Sequence, residues 1–337
     1  DRRVLVMAAT LDGTAVARLL DGAPIVASAG RQYAVDTRYR PPRAGVRMEA
    51  TVVSVLREAL ATETGDVLVF LPGVGEIHRT SQRLMESPLP DRTMVIALHG
   101  TLPAAQQDRA IAASPAGSRK VVLATSIAET SLTIDGVRVV IDGGLARRPR
   151  FSPRTGMSRL ETLRVSRASA DQRRGRAGRT MPGVCYRLWP EAEEANLLPF
   201  APPEMLEADL VPLALDLAVA GIFDPSRLSW LDAPSPAAYA QAGELLRQLD
   251  AVDNRGHATL HGRRMAALGM HPRLAHMTLR AGTEGATALA CDIAAILSER
   301  DPLRGAAQVT GVDLQARVDA LGRIGTAPRG AHGAGID

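Results

Sequence analysis

Short apolar runs alternate with stretches of helical periodicity from Asp1 to about Pro190. Parallel strands have to be joined by crossovers, usually helices, so this alternation restricts the fold more than any other feature. The predicted strands are Arg3–Ala8, Asp66–Leu71, Thr93–Leu98, Arg119–Ala124, Val137–Ile141 and Val184–Leu188, and the predicted helices are Met48–Ala61, Val74–Met85 and Ala104–Ala112. We therefore expect an α/β fold in which helices flank a parallel sheet.

The segment from Leu145 to Val165 interrupts this alternation. It places Pro149, Pro153 and Gly156 between two extended runs. Turn-forming residues between two strand-like runs predict a protruding β-hairpin.

The pattern becomes mostly helical after the prolines at positions 199, 202 and 203. The predicted helices there are Met205–Ala220, Pro236–Leu249, Arg263–Ala267 and Ala286–Leu297. A short element, Val252–Leu260, turns at Asn254-Arg255-Gly256 and is typical of the wing of a winged-helix domain. Residues 326–337 are rich in Gly, Ala and Arg, which predicts a disordered tail.

Positive charge is concentrated in one part of the chain. Gly143 to Arg179 holds eleven arginines against two carboxylates, a net charge of +9, whereas the remainder sums to −5. Lys120 is the only lysine, so composition explains the use of arginine but not its clustering. A concentrated basic segment indicates a polyanionic partner.

The cysteine content and the hydrophobic runs indicate the compartment. Cys185 and Cys291 are too few for a disulfide framework, and the sequence shows neither a leader pattern nor a long apolar stretch. We expect a cytoplasmic location and no membrane partner.

The run from Gln172 to Arg179 reads Gln-Arg-Arg-Gly-Arg-Ala-Gly-Arg. Arg176 and Arg179 follow Gln172 by four and seven residues, so on one helix they would share a face and offer positive charge to a phosphate. For two arginines alone, a solvated basic face would be the simpler interpretation. The full eight-residue pattern favours phosphate chemistry.

An apolar strand also runs directly into a hydroxyl-rich loop between Lys120 and Asp135. Loops that follow such strands are where open α/β sheets hold ligands. Helix capping by Ser and Thr is the alternative interpretation.

These two segments resemble motifs VI and V of the DEAH-box RNA helicases, and the resemblance narrows to the bacterial HrpB type. The resemblance implies a RecA-like parallel sheet followed by a mostly helical winged-helix and a partial ratchet region. The domains expected on this basis are the end of a first RecA-like domain at 1–30, the second RecA-like domain at 31–195 with its hairpin at 145–165, the winged helix at 200–262 and the partial ratchet at 263–325.

The resemblance further implies that ATP, with Mg²⁺, binds against this domain. Arg176 and Arg179 would be arginine fingers, and Gln172 would position the attacking water or the γ-phosphate. The remaining nucleotide contacts implied are Ser131, which senses nucleotide state, Thr133 and Asp135, which approach the γ-phosphate and ribose, and Ile111, which faces the adenine.

Nucleic-acid contacts are implied at three strand ends. Thr125 and Ser126 belong to motif V, whereas Gly73 and the pair His99-Gly100 lie in loops similar to motifs IV and IVa. Small side chains and backbone amides there would bind a single strand of RNA or DNA with little base selectivity. Taken singly, the last two loops are also explained as turns, and His99 by a local hydrogen bond. No His, Cys, Asp and Glu spacing suggests a metal site.

The segment Met7–Gly13 is similar to motif III, which couples hydrolysis to unwinding in this family. Ala8, Ala9 and Thr10 are the implied coupling residues. Ala8 stands where the family usually has Ser, so a hydrogen-bond relay through its hydroxyl is lost.

The sequence contains neither a G-x-x-x-x-G-K-[ST] motif nor an Asp-Glu pair. The phosphate cradle and the Mg²⁺ ligands would therefore lie elsewhere. We expect the chain to be a segment of an ATP-dependent 3′-to-5′ RNA helicase whose partner is an absent first RecA-like domain. The alternative is a non-catalytic module that binds single-stranded nucleic acid.

The isolated 337-residue chain is predicted not to hydrolyse ATP, because arginine fingers act only on a nucleotide held by a phosphate cradle and Mg²⁺. Phosphate release by the purified chain, with and without single-stranded RNA, checks this. RNA-stimulated turnover would contradict it.

Ile111 leads to a second prediction. An aliphatic contact holds a base without aromatic stacking, so nucleobase preference should be weak. The full-length enzyme should hydrolyse ATP, GTP, CTP and UTP at comparable rates, and a large preference for ATP would contradict the prediction.

Overall fold

The computed structural model describes residues 4–7, 13–27, 33–86, 89–130, 132–299, 301–303 and 313–326. The chain divides into two compact units, Asp1–Ala208 and Asp209–Asp337.

The first unit alternates strands and helices. In chain order its elements are α1 (Gly13–Leu19), β1 (Val35–Tyr39), α2 (Met48–Thr62), β2 (Asp66–Phe70), α3 (Val74–Met85), β3 (Thr93–Leu98), α4 (Ala104–Ile111), β4 (Arg119–Ala124), α5 (Ile127–Thr130), β5 (Val137–Asp142), β6 (Leu145–Ser152), β7 (Met157–Arg164), α6 (Arg167–Gly175) and β8 (Gly183–Arg187).

Six of these strands form one sheet in the order β1-β8-β5-β2-β4-β3, and every neighbouring pair is parallel. This confirms the predicted α/β fold with a parallel sheet. Val67 and Val69 of β2 pack on α2 and α3, whereas Leu68 and Phe70 pack towards α4 and α5. Because helices cover both faces, the central strands read as continuous apolar runs rather than as alternating ones.

Two strand assignments differ from the expectation. The strand β1 was not predicted because it is an edge strand of partly exposed polar residues with no apolar run. Val4–Met7, within the predicted strand Arg3–Ala8, is exposed and has no strand structure. Apolar character alone does not make a strand, since the backbone groups must also be paired.

The inserted segment forms an antiparallel hairpin of β6 and β7, paired from Leu145↔Arg164 to Ser152↔Met157. It leaves the sheet directly after β5. Gly144 lies between β5 and β6 and has a φ of 71°, a conformation that favours glycine. A Cβ at this position would also lie 2.7 Å from the ring of Trp189.

The two compact units divide after Ala208, so the segment that contains the prolines at 199, 202 and 203 belongs to the first unit. Backbone hydrogen bonds hold this segment to the first unit, from Arg167 N to Leu198 O (2.8 Å), Ala168 N to Pro199 O (3.1 Å) and Phe151 N to Glu207 O (2.9 Å). Prolines interrupt helices and strands, but a segment that contains them can still form hydrogen bonds to the rest of its unit.

The second unit is helical, as predicted. Its helices are α7 (Val211–Val219), α8 (Pro236–Gln248), α9 (Leu260–Ala267), α10 (Pro272–Thr283), α11 (Thr287–Ser298) and α12 (Leu314–Thr326). An isolated antiparallel bridge joins Val252 to Ala258 at the predicted wing. The tail after residue 326 lies outside the described residues.

Lys120 of β4 is buried beside the C-terminal end of α4. It is 1% exposed, and its ammonium donates a hydrogen bond to the carbonyl oxygen of Ala112. Burial lowers the pKa of this group below its ordinary value. The only lysine of the chain therefore has a structural position.

Arg173 forms the central ion pair of the first unit. Its side chain is fully buried and donates to Glu129 of α5 (Nε–Oε1, 2.7 Å) and to Asp142 at the end of β5 (Nη1–Oδ1, 2.7 Å). Its guanidinium also lies 4.8 Å from the ring centroid of Phe70. Burial alone would lower the pKa of Arg173, but the two carboxylates raise it, so the guanidinium remains charged.

Replacing Arg173 with Gln should reduce the free energy of unfolding by about 3–5 kcal/mol, because Asp142 and Glu129 lose their buried cation. Urea unfolding monitored by the fluorescence of buried Trp189, in a Trp230→Phe background, measures this loss. The matched control is Arg159→Gln, which removes an exposed pair with Glu161 and should cost less than about 1 kcal/mol. Equal losses for the two variants would contradict the prediction.

Candidate nucleotide and nucleic-acid site

The loops that follow β2, β3, β4 and β5 lie side by side at one edge of the sheet, because all these strands are parallel. Hydrogen bonds continue beyond the strands, from Leu71 N to Ala124 O (2.8 Å) and Thr125 N to Leu98 O (3.1 Å). The structure thus brings together the five residues predicted to contact nucleic acid, which are Gly73, His99, Gly100, Thr125 and Ser126.

These five residues differ in accessibility. Gly100 and Ser126 are exposed, and Thr125 is half-buried. His99 is buried, and its Nδ1 lies 2.7 Å from the hydroxyl of Thr101. The exposed backbone therefore belongs to the loops after β3 and β4.

Gly73 is buried under the guanidinium of Arg147, and any Cβ at this position would collide with that group. Arg147 donates to Glu76 (3.0 Å), which also accepts from Arg79 (2.8 Å), and Arg79 in turn donates to Glu49 (2.7 Å). This chain of ion pairs ties the hairpin to α3 and α2. Sequence reasoning missed Arg147, although it lies in the arginine cluster.

The loop after β4 continues from this edge towards a second group of predicted residues. The backbone N–H of Asp135 bonds to the carbonyl of Ile111 (3.4 Å). The guanidinium of Arg179 donates to the hydroxyl of Thr133. Ile111, Thr133, Asp135 and Arg179 thus lie around one loop, and the last three are exposed.

Arg176 lies beneath the same loop. Its buried guanidinium donates to the carbonyl of Leu132 (2.6 Å) and to that of Glu129. Burial lowers the pKa of Arg176 to about 10, and the neighbouring charge of Arg179 adds to the effect. Within the part of the chain that the structure describes, neither Arg176 nor Arg179 is ion-paired with a carboxylate.

The predicted single helical face for Gln172, Arg176 and Arg179 is corrected by the structure. The helix α6 ends at Gly175, and Arg176–Gly178 forms a 3₁₀ turn. Gly178 packs so closely on the chain at the start of β1 that a Cβ would lie 2.6 Å from the carbonyl oxygen of Tyr33 and 2.7 Å from the side chain of Val35. As a result Gln172 is half-buried, Arg176 is buried and Arg179 is exposed.

Four predicted site residues, Ala8, Ala9, Thr10 and Ser131, lie outside the described residues. Among the described ones, no group of three His, Cys, Asp or Glu side chains is arranged to hold a metal ion. In the same residues no helix is long and apolar enough to span a lipid bilayer.

The chain is similar to known proteins in sequence and in fold. Residues 51–181 match the family described as the helicase conserved C-terminal domain. The chain is 43% identical over 299 residues to the ATP-dependent RNA helicase HrpB of Escherichia coli (strain K12), which covers 89% of the chain and 37% of that protein.

Two crystal structures are also similar, each with 40% identity and covering 96% of the chain. The E. coli DExH-box NTPase HrpB superposes with a TM-score of 0.80 and is covered to 40% of its length. The E. coli DEAH/RHA helicase HrpB superposes with a TM-score of 0.84 and is covered to 42%. The six-stranded parallel sheet with its flanking helices is thus RecA-like, and the chain spans less than half the length of these relatives. Over most of its length the chain therefore matches one part of the HrpB-type DEAH-box helicases.

Proposed function

We propose that the chain forms the second RecA-like domain and the following helical domains of an ATP-dependent RNA helicase that moves 3′-to-5′ along a single strand of RNA or DNA. A preceding RecA-like domain would supply the phosphate cradle and the Mg²⁺ ligands. The E. coli relative is named an ATP-dependent RNA helicase, and 43% identity supports the same reaction class here. The domain limits of 1–30, 31–195, 200–262 and 263–325 remain part of this proposal.

The observation that carries the proposal is the pair of guanidiniums, Arg176 and Arg179, at the loop that holds Thr133 and Asp135. Each donates to an oxygen of this loop, but neither has a carboxylate partner among the described residues. Two neighbouring cations without counter-ions fit a polyphosphate. ATP bound with Mg²⁺ would supply the phosphoanhydride bond that is cleaved.

The two arginines have different positions, which suggests different tasks in hydrolysis. Arg179 is exposed and bonded to a hydroxyl, so it can turn towards a γ-phosphate at little cost. Arg176 is fixed by two backbone carbonyls and holds the loop in place while adding its charge to the same site. Gln172, half-buried one turn earlier, would orient the attacking water.

The loop from Thr125 to Asp135 offers a physical route for coupling. Its first residues lie among the loops proposed to bind nucleic acid, and its last residues contact Ile111 and Arg179. A shift of Arg179 towards a phosphate would release the hydroxyl of Thr133. The grip of Thr125 and Ser126 on a single strand would then depend on the nucleotide.

In the full-length protein, Arg179→Ala should lower RNA-stimulated ATP hydrolysis on the order of a thousandfold or more, because a developing negative charge loses its cation. RNA affinity, measured by fluorescence anisotropy of a labelled single strand, should change little. Arg176→Ala should show the same loss of hydrolysis together with lower stability, because two carbonyls lose their donor.

Arg57→Ala is the matched control, since Arg57 is an exposed arginine of α2 that forms no ion pair among the described residues. This variant should hydrolyse ATP like the natural protein. If Arg179→Ala weakened RNA binding and left hydrolysis intact, the chain would instead be part of a non-catalytic nucleic-acid-binding module.

A further inference from the structure

Two histidines of the second unit are in direct contact. Four of the seven histidines of the chain lie within positions 257–276. Among them, Nε2 of His261, in α9, lies 3.0 Å from Nδ1 of His276, in α10. The two rings cross almost at a right angle, with their centroids 5.1 Å apart. Histidine changes its charge close to neutral pH, so a contact made of two such rings responds to acid.

The partners of His276 determine where the proton lies between the two rings. Nδ1 of His276 also lies 3.0 Å from the carbonyl oxygen of Leu249, which can only accept a hydrogen bond. We therefore assign a proton to this Nδ1, which makes Nε2 of His261 the acceptor that faces it. The contact thus requires His261 to be neutral.

The contact closes a junction of three helices. Leu249 directly follows α8, where the last backbone carbonyls have no partner within the helix. His276 of α10 donates to the carbonyl of Leu249, and His261 of α9 contacts the same nitrogen. The end of α8, the start of α9 and the middle of α10 therefore meet at these two rings.

The start of α9 is firmly fixed beside this junction. The hydroxyl of Thr259 accepts from the backbone N–H of Gly262 (2.9 Å) and donates to the carbonyl of Asp250 (2.6 Å). Gly262 also packs so closely on the preceding turn that a Cβ would collide with the carbonyl of Ala251. A repulsion between the two rings therefore cannot be relieved by a small shift of α9.

The surroundings of His261 disfavour a positive charge. Burial lowers the pKa of His261 below its ordinary value, and His276 and Arg280 of α10 lower it further. Arg264 of α9 acts in the same direction, whereas Asp250 opposes it. The other helices that pack on α9 and α10 are α7 and α11, whose only charged side chains are Asp216 and Asp292.

We infer that this histidine pair is an acid-sensitive joint, in which protonation of His261 turns two N–H donors towards each other and loosens the packing of α9 on α10. A charge on His276 alone keeps the contact, because its second proton lies on Nε2 and its ring contacts the carbonyl end of α8. The residues of the proposed nucleotide and nucleic-acid sites belong to the first unit, so none of them forms part of this joint.

The direction of the pH effect follows from the neutral state of His261 in the folded protein. Because folding lowers the pKa of this group, the unfolded chain binds the proton more tightly. The joint contributes its full stability above the ordinary histidine pKa of about 6.5 and loses it as the pH falls below that value. We expect the joint to be closed at neutral pH and to open in mild acid.

Backbone hydrogen exchange of the full-length protein, followed by mass spectrometry, tests this joint. Between about pH 7.5 and about pH 5.5, and after correction for the intrinsic pH dependence of exchange, peptides of α9 and α10 should exchange faster on the order of tenfold. One unit of pKa shift corresponds to such a factor. Peptides of β2 and β4, in the first unit, should show no such excess.

Two matched variants assign the effect. His261→Gln keeps an acceptor for the Nδ1–H of His276 but cannot be protonated, so the excess exchange should disappear. The control is His257→Gln, which replaces an exposed histidine of the same unit whose Nδ1 lies 3.2 Å from a carboxylate oxygen of Asp253. Protonation of His257 strengthens this contact, so the control variant should keep the excess exchange of α9 and α10.

A second measurement needs no substitution. Slow deuterium exchange at the ring carbon between the two nitrogens of each histidine gives the pKa of His261 in the natural protein. A value at or above the ordinary histidine pKa would overturn the inference. So would the absence of excess exchange in the natural protein, its persistence in His261→Gln or its loss in His257→Gln.

Discussion

The buried guanidinium of Arg173 is the interaction on which the site depends. It joins α6 to α5 through Glu129 and to the end of β5 through Asp142. The next turn of the same segment carries Arg176, which binds the carbonyl of Glu129. The buried ion pairs of Arg173 therefore fix Glu129, and the carbonyl of Glu129 in turn holds Arg176 of the proposed nucleotide site. A charge that is costly to bury is retained here because removing one partner would leave the others uncompensated.

One short segment of the chain connects the two proposed ligand sites. Parallel strands bring the loops after β3 and β4 together at one edge, where Gly100 and Ser126 are exposed. The loop after β4 then runs to Ile111 and Arg179, so only about ten residues separate the two groups. Hydrogen bonds to loop oxygens, rather than ion pairs, hold Arg176 and Arg179 in place. Such bonds can be exchanged for phosphate contacts without breaking a salt bridge.

The sequence predicted the sheet well because its central strands are buried on both faces and read as apolar runs, as in Val121 to Ala124. It did not predict β1, whose side chains are partly polar and which is ordered by pairing with β8. Motif spacing pointed to loops that the structure brings together, but it could not show that Gly178 packs against Tyr33 or that Arg176–Gly178 forms a 3₁₀ turn. It also could not show that Arg147 covers Gly73, since alternation along β6 orients a side chain only once the register is known. The exposure of a side chain depends on tertiary packing, which the spacing of residues in a sequence motif does not reveal.

The position of Lys120 has a consequence for the chemistry of the surface. Because the single lysine is sealed under α4, every exposed cationic side chain of the described residues is an arginine or a histidine. Guanidiniums stay protonated at any physiological pH. Acetyl transfer and other amine acylation would therefore find no accessible ε-amino group in this stretch. If the basic segment binds a polyanion, as proposed, salt would weaken that attraction, arginine methylation would remove hydrogen-bond donors without removing charge, and acetylation would have no lysine to neutralise.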